Sequence, residues 1–231
     1  MIASNETSRG EEARVSEPRT SRERYRAQVR EDIKRHAWEQ IATAGASALS
    51  LNAIAKRIGM SGPALYRYFA SRDDLITDLV RDAYRSLADA FLARAAEGTD
   101  LPDLAGTLRA WALADPQRYF LVYGTPLPGY HAPEDTALTA SEIMTVLLDV
   151  CAAQDGPDTR PPGVAPPAEG YFAEHGEWTR GHPASPAARL RALTVWTRLH
   201  GVLSLELAGG FHGMGFDPAV LYAAEVESLT K

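Results

Sequence analysis

Cysteine and lysine are scarce in this chain, and strand patterning is missing. Cys151 is the only cysteine among 231 residues, so neither an intramolecular disulfide nor a multi-cysteine metal site is available, which suits a reducing cytoplasm. Lysine occurs 3 times against 21 arginines, a coding bias that also supplies planar donors suited to phosphate. There is no apolar–polar alternation of the kind a half-buried strand needs, and no internal repeat. A zincin His-Glu pair and a phosphate-loop Gly-Lys-Ser are both missing, which removes the commonest signatures of a metallohydrolase and a nucleotide hydrolase. The N-terminal stretch MIASNETSRGEEARVSEPRTSRERYRAQ lacks the apolar centre of a secretory signal. Long uncharged apolar runs are also lacking, so no membrane span is expected.

What is present is a helical pattern on a chain of uneven charge. The whole molecule carries −6, with 45% hydrophobic and 23% charged residues, an ordinary balance for a globular protein. Residues 1–72 hold 13 basic against 8 acidic side chains, a surplus of +5, and residues 73–231 hold 11 against 22, a deficit of −11. A basic N-terminal third on an acidic body points to a local polyanion-binding surface.

Residues 1–20 are polar and charged and read as a disordered tail. A helix is predicted from Ser21 to Ala44, with Tyr25, Val29, Ile33, Ala37 and Ile41 four apart on one face and Gly45 closing it. Ser50 caps a second helix with Ile54, Ala55 and Ile58 inward, ended by Gly59. Ser61 caps a third, with Gly62 and Pro63 in its first turn and Leu65 and Phe69 inward. Ser71 opens a fourth, with Asp74 completing a capping-box pattern, and its apolar ladder runs to about Ala96. Further helices are expected from Asp100 or Asp103, from Asp115-Pro116, over 134–153, from Pro186 to Leu207, and after Asp217-Pro218. Residues 154–186 hold 7 of the 15 prolines and read as an irregular insert or lid. GGFHGMG at 209–215 follows a helix with no strand before it and reads as an interhelix turn. The fold class is therefore all-α: a disordered tail (1–20), a head (21–72) and a body (73–231).

Residues 51–70 have the spacing of a helix-turn-helix. Ala55 is small where the two helices cross, Gly59 can take the positive φ of the turn, and Met60 and Leu65 are buried. The segment SLNAIAKRIGMSGPALYRYFASRDDLI resembles the DNA-binding head of TetR-family transcriptional regulators, over roughly residues 25–80. VWTRLHGVLSLELAG resembles the Trp-His-Gly type of TetR C-terminal domain through Trp196, His200 and Gly201. The resemblance implies an all-helical homodimer that binds double-stranded, near-palindromic operator DNA in the cytoplasm and answers to a small-molecule effector, with no cofactor, metal or catalytic residue. Ser50, Ser61, Tyr66, Tyr68 and Arg72 match backbone-contact positions. Asn52, Gly62, Pro63, Ala64 and Arg67 lie where bases are read. Gly62 and Ala64 are smaller than in many relatives, which shifts base readout to Arg67 and Asn52. Tyr68 has a second reading, packing in the seam with the first helix, and Arg67 has one as a surface ion pair.

Candidate effector-lining residues are Trp111, Arg118, Tyr119, Tyr123, Tyr130, His131, Trp196 and His200, whose aromatic bodies with polar tips suit a mixed pocket. Each has a core-packing alternative. His200 reads equally as a hydrogen-bonded structural histidine beside a glycine that lets helices approach. Arg118 pairs with a carboxylate or, if it faces the pocket, calls for an acidic ligand group. Leu190, Leu193, Val195, Leu199, Val202, Leu203, Leu205 and Leu207, with Val220, Leu221, Ala224 and Leu229, form the face of a four-helix dimer interface. Two other classes stay open: a dimeric DNA-binding protein without a ligand, and an all-helical enzyme. His175 and His182, flanking GEWTRG, could form a metal pair only if further ligands lie near.

Overall fold

The computed structural model describes residues 20–124, 126–130, 133–155 and 167–230, all of them helical or in helix connections. The helices are α1 (Ser21–Ala44), α2 (Leu51–Arg57), α3 (Gly62–Leu65), α4 (Arg72–Ala96), α5 (Leu101–Ala114), α6 (Pro116–Tyr123), α7 (Glu134–Ala153), α8 (Pro167–Glu174), α9 (Pro186–Leu207) and α10 (Pro218–Leu229). The all-α fold anticipated from the sequence is the fold observed. The tail expected over 1–20 lies outside the described residues except for Thr20.

Helix starts follow side-chain chemistry. Thr20 Oγ1 accepts from the Glu23 amide while Glu23 reaches back to the Thr20 amide, a reciprocal box that ties two amides left free by the first turn of α1. Ser50, Ser71, Asp100, Asp115, Ser185 and Asp217 each accept one backbone N–H at the start of α2, α4, α5, α6, α9 and α10. Two expectations fall short. Ser61 occupies the position before α3 but its hydroxyl makes no capping bond, and Ser71–Asp74 forms only one half of a box. Pro167–Glu174 is a helix inside the segment expected to be irregular, and Glu177–Thr179 adds a short 3-10 turn.

Two hydrophobic cores form. The head core joins Ile33, Ala37 and Ile41 of α1 to Ile54 and Ala55 of α2, Leu65 of α3, Phe69, and Leu75, Ile76, Leu79 and Val80 of α4. Tyr25, expected on the inner face of α1, is 67% exposed because α1 starts about two turns before the head core begins at Val29. The body core packs Leu87, Ala88 and Phe91 of α4 against α5, α7 and α9. One helix thus enters both cores. Its 25 residues span about 38 Å at 1.5 Å per residue. The stretch Thr136–Ala153 of α7 has the length and apolarity of a membrane span, contrary to the expectation of none. Ile143, Val146, Leu147, Leu148, Val150 and Cys151 are nevertheless buried in the body core, which accounts for its composition.

Between α2 and α3, Gly59 has φ +70°, the left-handed conformation the turn requires. A Cβ there would meet nothing within 4 Å, so Gly59→Ala costs backbone strain alone. We expect a loss of about 1 kcal/mol, read as a lower midpoint in urea denaturation, and an unchanged midpoint would contradict the turn geometry.

Candidate functional site

The surface of the head is set by a clamp at the end of α3. After Leu65 the chain continues in tight turns, with Arg67 N–H donating to Ala64 O and Tyr68 N–H to Leu65 O. The last carbonyls are taken by α1: Arg26 donates to Arg67 O (3.2 Å) and Arg30 to Tyr68 O (2.6 Å). Arg30 also lies 4.2 Å from the Phe69 ring centroid and pairs with Asp78 of α4. One turn further on, Lys34 pairs with Asp82 (2.7 Å). The i, i+4 row Arg26, Arg30, Lys34 on α1 thus meets Asp78 and Asp82, four apart on α4. Sequence reasoning passed over these residues, although the matching spacing was a readable signal.

With its carbonyls held, the 66–68 segment turns side chains outward. Tyr66 is 46% exposed, and Arg67 is exposed with no ion pair among the described residues. Tyr68 is half-buried against the head core, with Arg26 5.8 Å from its ring centroid, so the packing reading for Tyr68 has support in the free chain. Asn52 and Gly62 come together: a Cβ on Gly62 would stand 3.5 Å from Asn52 Oδ1, an ordinary contact. Pro63 and Ser61 are exposed and Ala64 is partly so. Ser50 Oγ is occupied as the α2 cap, and Arg72 is tied to Ala46 O (2.8 Å). The α3 helix is only four residues long, which leaves little of the helix dipole the N-terminal amides were expected to supply.

In the body, Trp111, Arg118, Tyr119, Tyr123, Trp196 and His200 assemble into one cluster. Tyr119 is fully buried; its hydroxyl pairs with His200 Nδ1 (2.9 Å) and Ser204 Oγ (2.8 Å), and its ring stacks on the imidazole. Tyr123 meets Trp111, Tyr119, Trp196 and His200 edge-on or tilted. Burial pushes the Tyr119 and Tyr123 hydroxyls upward, away from ionisation. Trp111 Nε1–H donates to Ser86 Oγ, as does Arg118, which also donates to the Trp111 carbonyl. The carboxylate partner anticipated for Arg118 is not found among the described residues. Tyr130 does not join the cluster; its hydroxyl pairs with Thr77 and its ring packs on the head core. His131 lies outside the described residues. Gly201 is exposed and a Cβ on it would meet nothing within 4 Å, so no helix among the described residues needs that glycine for close packing.

The outer face of Trp196 borders a second feature, a cleft of about 520 Å³ lined with Met144, Tyr171, Phe172, Trp178 and Leu193 beneath α8. The histidines considered as a metal pair are spent elsewhere: His175 stacks on Tyr171 and bonds its carbonyl, and His182 pairs with Asp149 (2.9 Å). No group of three metal-ligating side chains occurs among the described residues.

Two family models match. Residues 33–79 match one described as bacterial regulatory proteins, tetR family, and residues 101–229 match one described as Tetracyclin repressor-like, C-terminal domain. The chain is 36% identical over 227 residues to the HTH-type transcriptional regulator Rv1816 of Mycobacterium tuberculosis (strain ATCC 25618 / H37Rv), covering 94% of this chain and 95% of that one. A crystal structure described as that of a regulatory protein, SCO4313, is 61% identical with a TM-score of 0.81, covering 91% of this chain and 98% of the other. A protein of unknown function from Rhodococcus sp. RHA1, 20% identical, shares the fold at a TM-score of 0.63 over 87% and 93% of the two chains.

His200 carries a consequence for stability. Burial drops its pKa from 6.5 to about 4, so folding favours the neutral ring. That contribution is complete above pH 6.5 and is lost as pH falls through 6.5 toward 4, about 3 kcal/mol in all. His200→Asn is expected to lower stability at pH 7.5 by about 1 kcal/mol but to flatten its decline to pH 4.5. Urea denaturation at both pH values measures this, and an equally steep decline in the variant would contradict it.

Proposed function

The chain belongs to the TetR family of bacterial transcriptional regulators, and we propose that it is a homodimeric repressor released from its operator when a small molecule occupies the body. As a family member it binds DNA through the helix-turn-helix of α2 and α3. The finer reading rests on one observation above the rest: a side-chain row on the head, Asn52, Tyr66 and Arg67, that the fold leaves exposed. In this reading Tyr66 donates to a phosphate and Arg67 reads a base edge, with Asn52 reading a second base beside Gly62. Pro63 and Ala64 contact thymine methyls. Ser50, Ser61, Tyr68 and Arg72 face the phosphates. Arg72 and Tyr68 do so from positions held within the head, and Ser50 while capping α2.

Val195, Leu199, Val202 and Leu203 of the expected dimer face are buried in the body core, and the dimer is supported instead by apolar surface left open elsewhere on the last two helices. Leu205 is 52% exposed and Val220 is 68% exposed, with Ala223, Ala224 and Gly201 also open. A second copy would cover them and place two heads a whole number of helical turns apart on a near-palindromic site in the cytoplasm. The effector reading is supported by the cluster of Trp111, Arg118, Tyr119, Tyr123, Trp196 and His200, polar-tipped rings packed directly against α4. Tyr130, held at the seam between head and body, belongs to the coupling between them rather than to the ligand's walls. A ligand that binds one arrangement of these helices better than another shifts the heads through α4.

Competition binding with operator and scrambled duplex tests the division of roles. Tyr66→Phe is expected to weaken binding to both duplexes alike. Arg67→Ala should cost about 1–3 kcal/mol on the operator and much less on scrambled DNA, and equal losses on both would remove it from base reading. Affinity for either duplex should fall steeply with salt.

A further inference from the structure

Arg118 is a cation whose side-chain bonds go to neutral acceptors. It rises from α6 between Ser86 of α4 and Trp111 of α5 and lies 4.9 Å from the Trp111 ring centroid. Its two bonded nitrogens donate to neutral acceptors, Ser86 Oγ (3.2 Å) and Trp111 O (3.3 Å). Its Nε is buried with no partner. Ser86 Oγ already accepts from Trp111 Nε1–H (3.1 Å). The nearby carboxylate of Asp115 is engaged in capping α6 through the Arg118 amide. A guanidinium has five N–H donors and binds carboxylate in a fork. A half-covered cation without an anion is costly to hold, and an arriving anion removes that cost. The residue is only partly buried, so a ligand can reach it.

We propose that Arg118 receives the carboxylate of a monoanionic effector with an apolar body, and that Ser86 reports its arrival to α4. This rests on the effector reading above and names the ligand's class. One guanidinium balances one charge, and the rings around it offer apolar and edge-on contact rather than a second cation. When the carboxylate takes the guanidinium fork, Ser86 loses the Arg118 donor that ties α6 to α4. Ser86 lies four residues beyond Asp82, which Lys34 of the head holds, so a change in the α4–α6 tie lies one helical turn from the head's own anchor.

The test uses the full-length protein and matched pairs of small molecules, aromatic and alkyl carboxylates (2-naphthoate and octanoate among them) beside their neutral amides, in thermal denaturation. At least one acid should raise Tm by about 5 °C at a hundredfold excess over its Kd, and its amide should not. Arg118→Gln should abolish the acid-selective rise, and Arg118→Lys should keep part of it. If Arg118 serves only to tie the end of α5, both variants lower Tm and no acid outperforms its amide in wild type; that result overturns the proposal, as does an unchanged response in Arg118→Gln. Should Arg118→Gln fail to fold, the wild-type comparison of acid and amide decides alone. Ser86→Ala should keep the acid-selective Tm rise while the acid releases DNA at least tenfold less effectively; undiminished release overturns the role of Ser86. Because the Tm readout contains no DNA, acid-selective binding without any effect on DNA would sink the regulatory reading and leave the carboxylate site standing.

Discussion

Helix α4 is buried by two different cores at once. Leu75, Ile76, Leu79 and Val80 are fixed among α1, α2 and α3, while Leu87, Ala88 and Phe91 are fixed among α5, α7 and α9. Neither core can be repacked without moving the helix, and close-packed interiors transmit such a shift rather than absorb it. The capping of α4 by Ser71 sets where the helix begins, directly after the exposed 66–68 segment. Head and body are therefore joined by packing as well as by chain, with Tyr130 of the connection after α6 bonded to Thr77 of α4.

The polar side of the same constraint is the basic row of α1. Arg30 bonds the end of the 66–68 segment through Tyr68 O and α4 through Asp78, so one side chain ties that segment to α4. Ion pairs at this exposure contribute modestly to stability. Their weight lies in geometry, since a guanidinium bonded to two elements fixes the angle between them. In the body, the buried Tyr119–His200–Ser204 group joins α6 to α9, and the Ser86–Trp111–Arg118 group joins α4, α5 and α6. In the proposed effector response, the helices a ligand would have to move are the helices these two polar groups connect.

Much of this was legible in the sequence, for physical reasons that differ by element. The ends of α1, α4, α7 and α9 and the start of α10 followed from caps and from ladders of apolar residues, because both signals are local. The turn at Gly59 followed from its need for positive φ. The matches over 33–79 and 101–229 bear out the resemblance read from the helix-turn-helix and from Trp196, His200 and Gly201. What stayed hidden depends on contacts distant in sequence. Nothing local marks Tyr130 as a seam residue rather than a member of the aromatic cluster, or Ser86 as the acceptor for Arg118 32 residues away. Helix α8 was hidden by the prolines of the segment before it, although its own Pro167 stands at the first position, where proline is tolerated. Gly201 marks a place where helices can approach closely, but it lies on the outer face of α9, where a Cβ meets nothing among the described residues of this chain.

The proposed homodimer presents two copies of one DNA-reading surface whose spacing depends on the body. Selection of bound duplexes from a random pool at low ionic strength, using the purified full-length protein, tests it most directly. The account predicts enrichment of a single near-palindromic sequence with half-sites a whole number of helical turns apart. Recovery of no enriched sequence, or of one lacking any repeat of a half-site, would contradict it.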